Sequence, residues 1–165
     1  MRHLLYLSIL ALSLLFIGCN DDDNTPQDCA EGFEGNDCNT EVRAKYLGTW
    51  SGPNMCDENA LFPIDISMVT LLITESETDI LDITLELVLN TEFSDVDIPS
   101  ETTMLIGNAF ETGPSESEVF GFPIIVSSDG IFRSETELSM DFVVTTELPY
   151  VGPTTISCSA DLEKQ

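Results

Sequence analysis

Ile80-Leu81-Asp82-Ile83-Thr84-Leu85-Glu86-Leu87-Val88-Leu89 puts Leu81, Ile83, Leu85, Leu87 and Leu89 on one side of an extended chain. Asp82, Thr84 and Glu86 fall on the other. A period of two marks a strand with one face on a core and the other in water. The pattern returns twice further on. Leu138, Met140, Phe142 and Val144 oppose Ser139 and Asp141, and Ile156, Cys158, Ala160 and Leu162 oppose Thr155, Ser157, Ser159 and Asp161. No stretch of useful length after residue 50 has the 3.6-residue period of a helix, so the expected class is all-β.

Around these three strands the chain breaks into further short ones. Residues 64–74 change phase, Ile64, Ile66 and Met68 alternating first and Val69, Leu71 and Ile73 after them, which predicts a bulge near Met68 and Val69. Further strands are predicted at residues 104–110, 119–126 and 131–134. Turn residues separate them at 75–78, at 90–100 with Pro99, at Gly113-Pro114 and at 149–153. Asp129-Gly130, between Ile125-Val126 and Ile131-Phe132, carries the strongest hairpin signal. About eight antiparallel strands in residues 44–165 suit a small up-and-down β-barrel, with a β-sandwich as the alternative.

The N-terminus has a different character. Arg2 and His3 precede an almost wholly apolar run at residues 4–17. As a helix this run would be about 21 Å long, short of the ~30 Å hydrocarbon core of a bilayer. A basic start, a short apolar region and a small residue at the cut describe a secretory signal at residues 1–18. Phe16-Ile17-Gly18-Cys19 then resembles the lipobox of bacterial lipoproteins, with Phe16 where that family prefers Leu. The resemblance implies that Cys19 is lipidated, becomes the first mature residue and ties the protein to a membrane. Residues 19–28 read as a lipidated acidic tether, whose Asn20-Asp21-Asp22-Asp23-Asn24 resembles the surface-export signal of Bacteroidota lipoproteins. That implies an outer-membrane anchor and display at the cell surface. The acidic run lacks the spaced ligands, Gly and terminal Glu of an EF-hand loop, so it reads as a solvated charge run.

Composition narrows the function. From Cys19 onward thirty acids face four bases (Arg43, Lys45, Arg133 and Lys164), a side-chain charge of −26. Such a surface repels nucleic acid, whose backbone requires clustered Lys and Arg. His3 is the only histidine and lies in the signal. The mature chain therefore lacks the imidazole of Ser-His-Asp or Cys-His catalysis and of the usual zinc sites. No catalytic residue, metal ligand or cofactor is expected. A carboxylate-dependent hydrolase survives as a minor alternative.

Five cysteines in an exported chain leave one over, and lipidation of Cys19 resolves the count. Cys29 and Cys38 close a short local loop, which leaves Cys56 and Cys158 as the natural second bridge in an oxidising compartment. Cys29-Ala30-Glu31-Gly32-Phe33-Glu34-Gly35-Asn36-Asp37-Cys38 resembles the last disulfide hairpin of epidermal-growth-factor-like modules, with Gly32 and Gly35 at the tight turns. The remaining cysteines of such a module are missing. The resemblance thus implies a one-bridge stub at residues 29–38, without the calcium or receptor functions of full modules. A short helical turn capped by Thr40 is predicted to follow.

Gly48-Thr49-Trp50 opens the main domain and resembles the G-x-W of the lipocalin and avidin group, in which the Trp closes one end of the barrel. Lipocalins place an Arg after the last strand where this chain offers only Lys164, and the ligand residues of avidin find no counterparts. With its lipobox, acidic run, stub and barrel the layout resembles Bacteroidota surface lipoproteins. The expected function is a non-enzymatic surface lipoprotein with a binding barrel, its partner a protein, a glycan or a small apolar ligand. The alternative is a lipocalin-like carrier. Large residues dominate the inward faces, predicting a filled core with recognition on residues 90–100 and 111–118.

Overall fold

The computed structural model describes residues 29–58, 65–119 and 121–165. The signal, Cys19 and the acidic tether lie outside them. A two-stranded hairpin, β1 (Phe33–Glu34) with β2 (Thr40–Glu41), leads into a 3-10 helix, Val42–Tyr46. Then come β3 (Gly48–Cys56), β4 (Ile66–Glu75), β5 (Asp82–Thr91), β6 (Asp95–Met104), β7 (Ala109–Glu111), β8 (Ser115–Val119), β9 (Phe122–Phe132), β10 (Glu137–Leu148) and β11 (Gly152–Lys164). The protein is an all-β, nearly closed eight-strand antiparallel barrel. Consecutive strands pair from β3 to β6 and from β8 to β11, and β3 pairs with β11 to join the first barrel strand to the last. Two short pieces, β7 and β8, share one position against β9.

The period-two faces are the core. Ile83, Leu85, Leu87 and Leu89 meet Leu138, Met140, Phe142 and Val144 with Ile156, Cys158, Ala160 and Leu162, all buried. The bulge of β4 lies between Ile66 and Met68, where Ser67 and Met68 both face outward and Val69 resumes the inward phase. Cys29 is bonded to Cys38, and Cys56 to Cys158 across the β3–β11 pair.

Four local expectations fail, each for a physical reason. Residues 104–110 are not one strand: β6 ends at Met104, the chain turns at Gly107 with Ile106 bridging Ala109, and β7 begins there. Asp129-Gly130 is no hairpin but the middle of β9, opposite Met140 and Asp141 of β10. Gly130 faces inward, and the ring of Phe110 fills the place a side chain would take. Residues 90–100 are no loop. Only Glu92, Phe93 and Ser94 turn, and β6 follows at once, bending where its register against β5 shifts between Ile98 and Glu101, at Pro99 and Ser100. The 3-10 helix is not capped by Thr40. Glu41 precedes it and holds Arg43 through a 2.8 Å ion pair instead.

One end of the barrel is shut by the 3-10 helix. Trp50 is wholly buried there and donates its indole N–H to the carbonyl of Tyr46 at 2.9 Å. Phe132 stacks on Tyr46 with centroids 4.0 Å apart and touches the rings of Trp50 and Phe110. Lys164, at the end of β11, lies over the Trp50 ring and donates to the carbonyl of Lys45. The Trp thus closes an end, as the G-x-W resemblance implies, with a lysine over its ring.

The stub belongs to this closed end. Arg43 is buried, and its guanidinium donates to the carbonyls of Ser76, Asp79 and Asp82, which form the turn between β4 and β5. Gly32, at φ +87°, packs on Ile80 and Leu81 of the same turn. Lys45 bonds Glu34 at 2.7 Å, and that hydrogen bond raises its pKa.

Candidate functional site

Among the described residues, large side chains occupy the inward faces of the barrel. Beneath the junction of β6 with β7 and β8 lies a cavity of about 20 Å³, lined in part by Leu71, Leu87, Ile98, Glu101, Thr112 and Ser128. That is room for roughly one water, which the hydroxyls and carboxylate around it could bind. A drug-sized ligand requires about 300 Å³ or more. The described part of the core is packed with large side chains, as expected.

The junction above this cavity is where the barrel stays incompletely zipped. No backbone ladder joins β6 to β7 or β8. Side chains bridge the strands instead: Glu101 accepts from the Gly113 N–H at 2.7 Å and from the Ser115 hydroxyl at 2.9 Å. The Ser117 hydroxyl donates to the Asp97 carbonyl, and the Thr103 hydroxyl to the Glu111 carbonyl. Pro99 has no N–H to offer a neighbour, and acids project on both sides (Asp95 and Asp97; Glu116 and Glu118), which disfavours direct pairing. The two segments expected as recognition loops, 90–100 and 111–118, are the two flanks of this seam.

The open space lies outside the barrel, toward the end away from the 3-10 helix. A groove of about 330 Å³ runs over the outer ends of β8, β9, β10 and β11, lined by Glu116, Ser117, Pro123, Ile125, Thr145, Glu147 and others. Ile125 forms its floor, 42% exposed, with Glu116 in register on one side and Thr145 on the other. Pro123 and Glu147 continue it into a more open hollow of about 540 Å³ along the β10–β11 hairpin, beside Pro149, Tyr150 and Val151.

Tyr150 is the unusual residue of this end. Its side chain is fully exposed and its backbone has φ +70°. The turn Leu148-Pro149-Tyr150-Val151 closes with the Val151 N–H on the Leu148 carbonyl at 3.2 Å, proline preceding the left-handed residue as in a type II turn. That position favours Gly or Asn, and a bulky residue there is strained. The hairpin thus holds an aromatic ring in water at a conformational cost. The sequence reading marked 149–153 only as a turn; an aromatic between two prolines was the available signal.

Charge is divided between the two ends. Among the described residues the cations Arg43, Lys45, Arg133 and Lys164 all stand at the closed end, on the 3-10 helix, the β9–β10 turn and the last residues of β11. The opposite half carries only acids, Glu92, Asp95, Asp97, Glu116, Glu118 and Glu147 among them. Midway down the outer surface Glu111, Asp129 and Asp141 stand side by side in register on β7, β9 and β10. Desolvation on the sheet, then the charges of Asp141 and Glu111, raise the Asp129 carboxyl above the ordinary carboxylate value. Among the described residues no group of three His, Cys, Asp or Glu side chains is arranged to hold a metal ion.

No protein-family profile matches the chain, and no curated protein matches it. Its fold is similar to that of EF1p2_mFAP2b bound to DFHBI, with a TM-score of 0.51 at 7% identity, over 73% of this chain and 94% of that one. A redesigned beta barrel aligns at a TM-score of 0.49 and 11% identity, over 73% and 92% of the two chains.

Proposed function

We infer that the chain is a non-enzymatic, lipid-anchored outer-membrane lipoprotein, displayed at the cell surface through Cys19, whose barrel is an interaction domain. The observation that carries the binding reading is the packing of the described interior: large buried side chains line the inward faces and an open groove lies outside, which favours recognition on the outer surface. The closed end receives the stub, which puts the groove at the end of the barrel opposite the stub. EF1p2_mFAP2b, a barrel of similar fold, is bound to DFHBI. A lipocalin-like carrier would have to hold its ligand inside, and large buried side chains occupy that volume.

Three experiments test the reading. Metabolic labelling with a fatty-acid analogue should tag the wild type and not Cys19→Ala, and protease added to intact cells should release the domain. Labelling of both proteins, or full shelter from protease, would overturn the anchored and displayed state. For the barrel itself, a long-chain fatty acid titrated against Trp50 fluorescence should give no saturable change; one-to-one saturation would make the carrier the better reading.

A further inference from the structure

The groove at the end away from the stub has a composition that selects one kind of occupant. Its floor is apolar (Pro123, Ile125, Pro153) and its two walls end in carboxylates, Glu116 on β8 and Glu147 on β10. These strands are two apart, so the carboxylates are separated by about 10 Å across the sheet, with Glu147 two residues farther toward the tip. Beyond Glu147 the hollow reaches Tyr150, whose exposed face can take a cation. All four cations of the described chain are at the opposite end, so nothing here neutralises the walls.

We propose that this groove binds an extended, basic peptide segment of a protein partner. Lys and Arg combine a long apolar stem with a charged head. The stem lies on Ile125 and Pro123 and the head reaches a carboxylate. In an extended segment the side chains at i, i+2 and i+4 point the same way, roughly 7 Å apart and about 13 Å from first to last. Basic residues at i and i+4 match the span between Glu116 and Glu147, two strands and two residues apart, with the one at i+2 lying between them. The acidic half of the domain attracts such a segment from a distance, and the attraction weakens as salt rises. The proposal rests on the interaction-domain reading and names the chemistry of its partner.

The test is calorimetric titration of the full chain carrying Cys19→Ala with the hexapeptide acetyl-Lys-Val-Lys-Val-Lys-Val-amide. Saturable one-to-one binding is expected, lost when Glu replaces each Lys of the peptide. The pair Glu116→Gln and Glu147→Gln should weaken it at least tenfold, as should Ile125→Ser, with the thermal midpoint of each variant measured to establish folding. The pair Glu137→Gln and Glu163→Gln removes the same charge at the closed end, where these residues face each other across β10 and β11; it should change binding less than twofold. Equal weakening by the two pairs, or no saturable binding up to millimolar peptide, would overturn the groove. Either result would leave protease release from cells unchanged, so failure here is separable from failure of the surface reading.

Discussion

Phe110 lies over the α-carbon of Gly130, its ring occupying the space into which any larger residue at 130 would project. The two face each other in register on β7 and β9, and Phe110 is thereby brought against Phe132 in the aromatic cluster at the closed end. Gly130→Ala must displace the ring and should destabilise the fold by about 1–3 kcal/mol, the range for overpacking a tight core. The denaturant midpoint measures this. Phe110→Leu combined with Gly130→Ala should lose less than the sum of the two single changes; simple additivity would show that the ring and the glycine are not coupled.

The bridge between Cys56 and Cys158 joins residues 102 apart, against 9 for Cys29 and Cys38. In the chain-entropy account the long loop contributes about 4–5 kcal/mol and the short one about 2–3 kcal/mol. Replacing Cys56 and Cys158 by Ser should lower stability more than replacing Cys29 and Cys38. The two double variants compared by urea melting decide the order, and non-reducing peptide mapping checks that no cross-pairing replaces the lost bridge.

Arg43 is expected to be the most sensitive position of the 3-10 helix. Arg43→Met would leave the carbonyls of Ser76, Asp79 and Asp82 without their shared donor and Glu41 without its partner. A loss of about 2–4 kcal/mol is expected from stranding buried acceptors. Lys should not rescue it, since one ammonium cannot reproduce the planar fork. Hydrogen exchange should show faster exchange of the Val42 amide, which bonds the Gly32 carbonyl, and unchanged protection in β10.

Asp129 gives the barrel a pH signature. Its folded-state pKa is raised, so the folded chain holds this proton more tightly than the unfolded chain does. The resulting penalty is full above the folded value and fades as pH falls through it toward the ordinary value near 4. Asp129→Asn should therefore raise the melting temperature at pH 7, and the gain should shrink at pH 4. Like charges facing each other across strands and screened by solvent place the effect below about 1 kcal/mol. An equal gain at both pH values would point to something other than charge.

The strands that read clearly are those buried on one face only, because alternation is then printed directly in the residues. Leu138 to Val144 and Ile156 to Leu162 are of this kind, and so is Cys158, whose inward position among apolar residues matched a bridge to another strand. What escaped reading was decided by partners distant in the chain. Gly130 resembles a turn residue until Phe110 is placed on it. Residues 90–100 read as a turn because Pro99 and the acids are poor strand formers, yet pairing with β5 draws residues 95–104 into β6. The groove had no local pattern at all: Glu116, Ile125 and Glu147 come from three strands and meet only through register.

The unzipped seam has a consequence for how the chain assembles. Read across the sheet, the strands run β6, β5, β4, β3, β11, β10, β9, β7, so the middle of the polypeptide forms both margins and its two extremities meet at the centre. The protein is two local meanders welded along their outermost strands, and the weld is the contact that must close nearly the whole chain. Loop closure of that length is slow even when its equilibrium cost is modest. A rewired chain running from residue 105 to 165, through a linker into residue 29 and on to 104, would keep the stub and the 3-10 helix and lay the barrel strands in spatial order. Every barrel ladder except that of β7 with β9 would then be between sequence neighbours, and such a permutant should refold faster than the parent at similar stability.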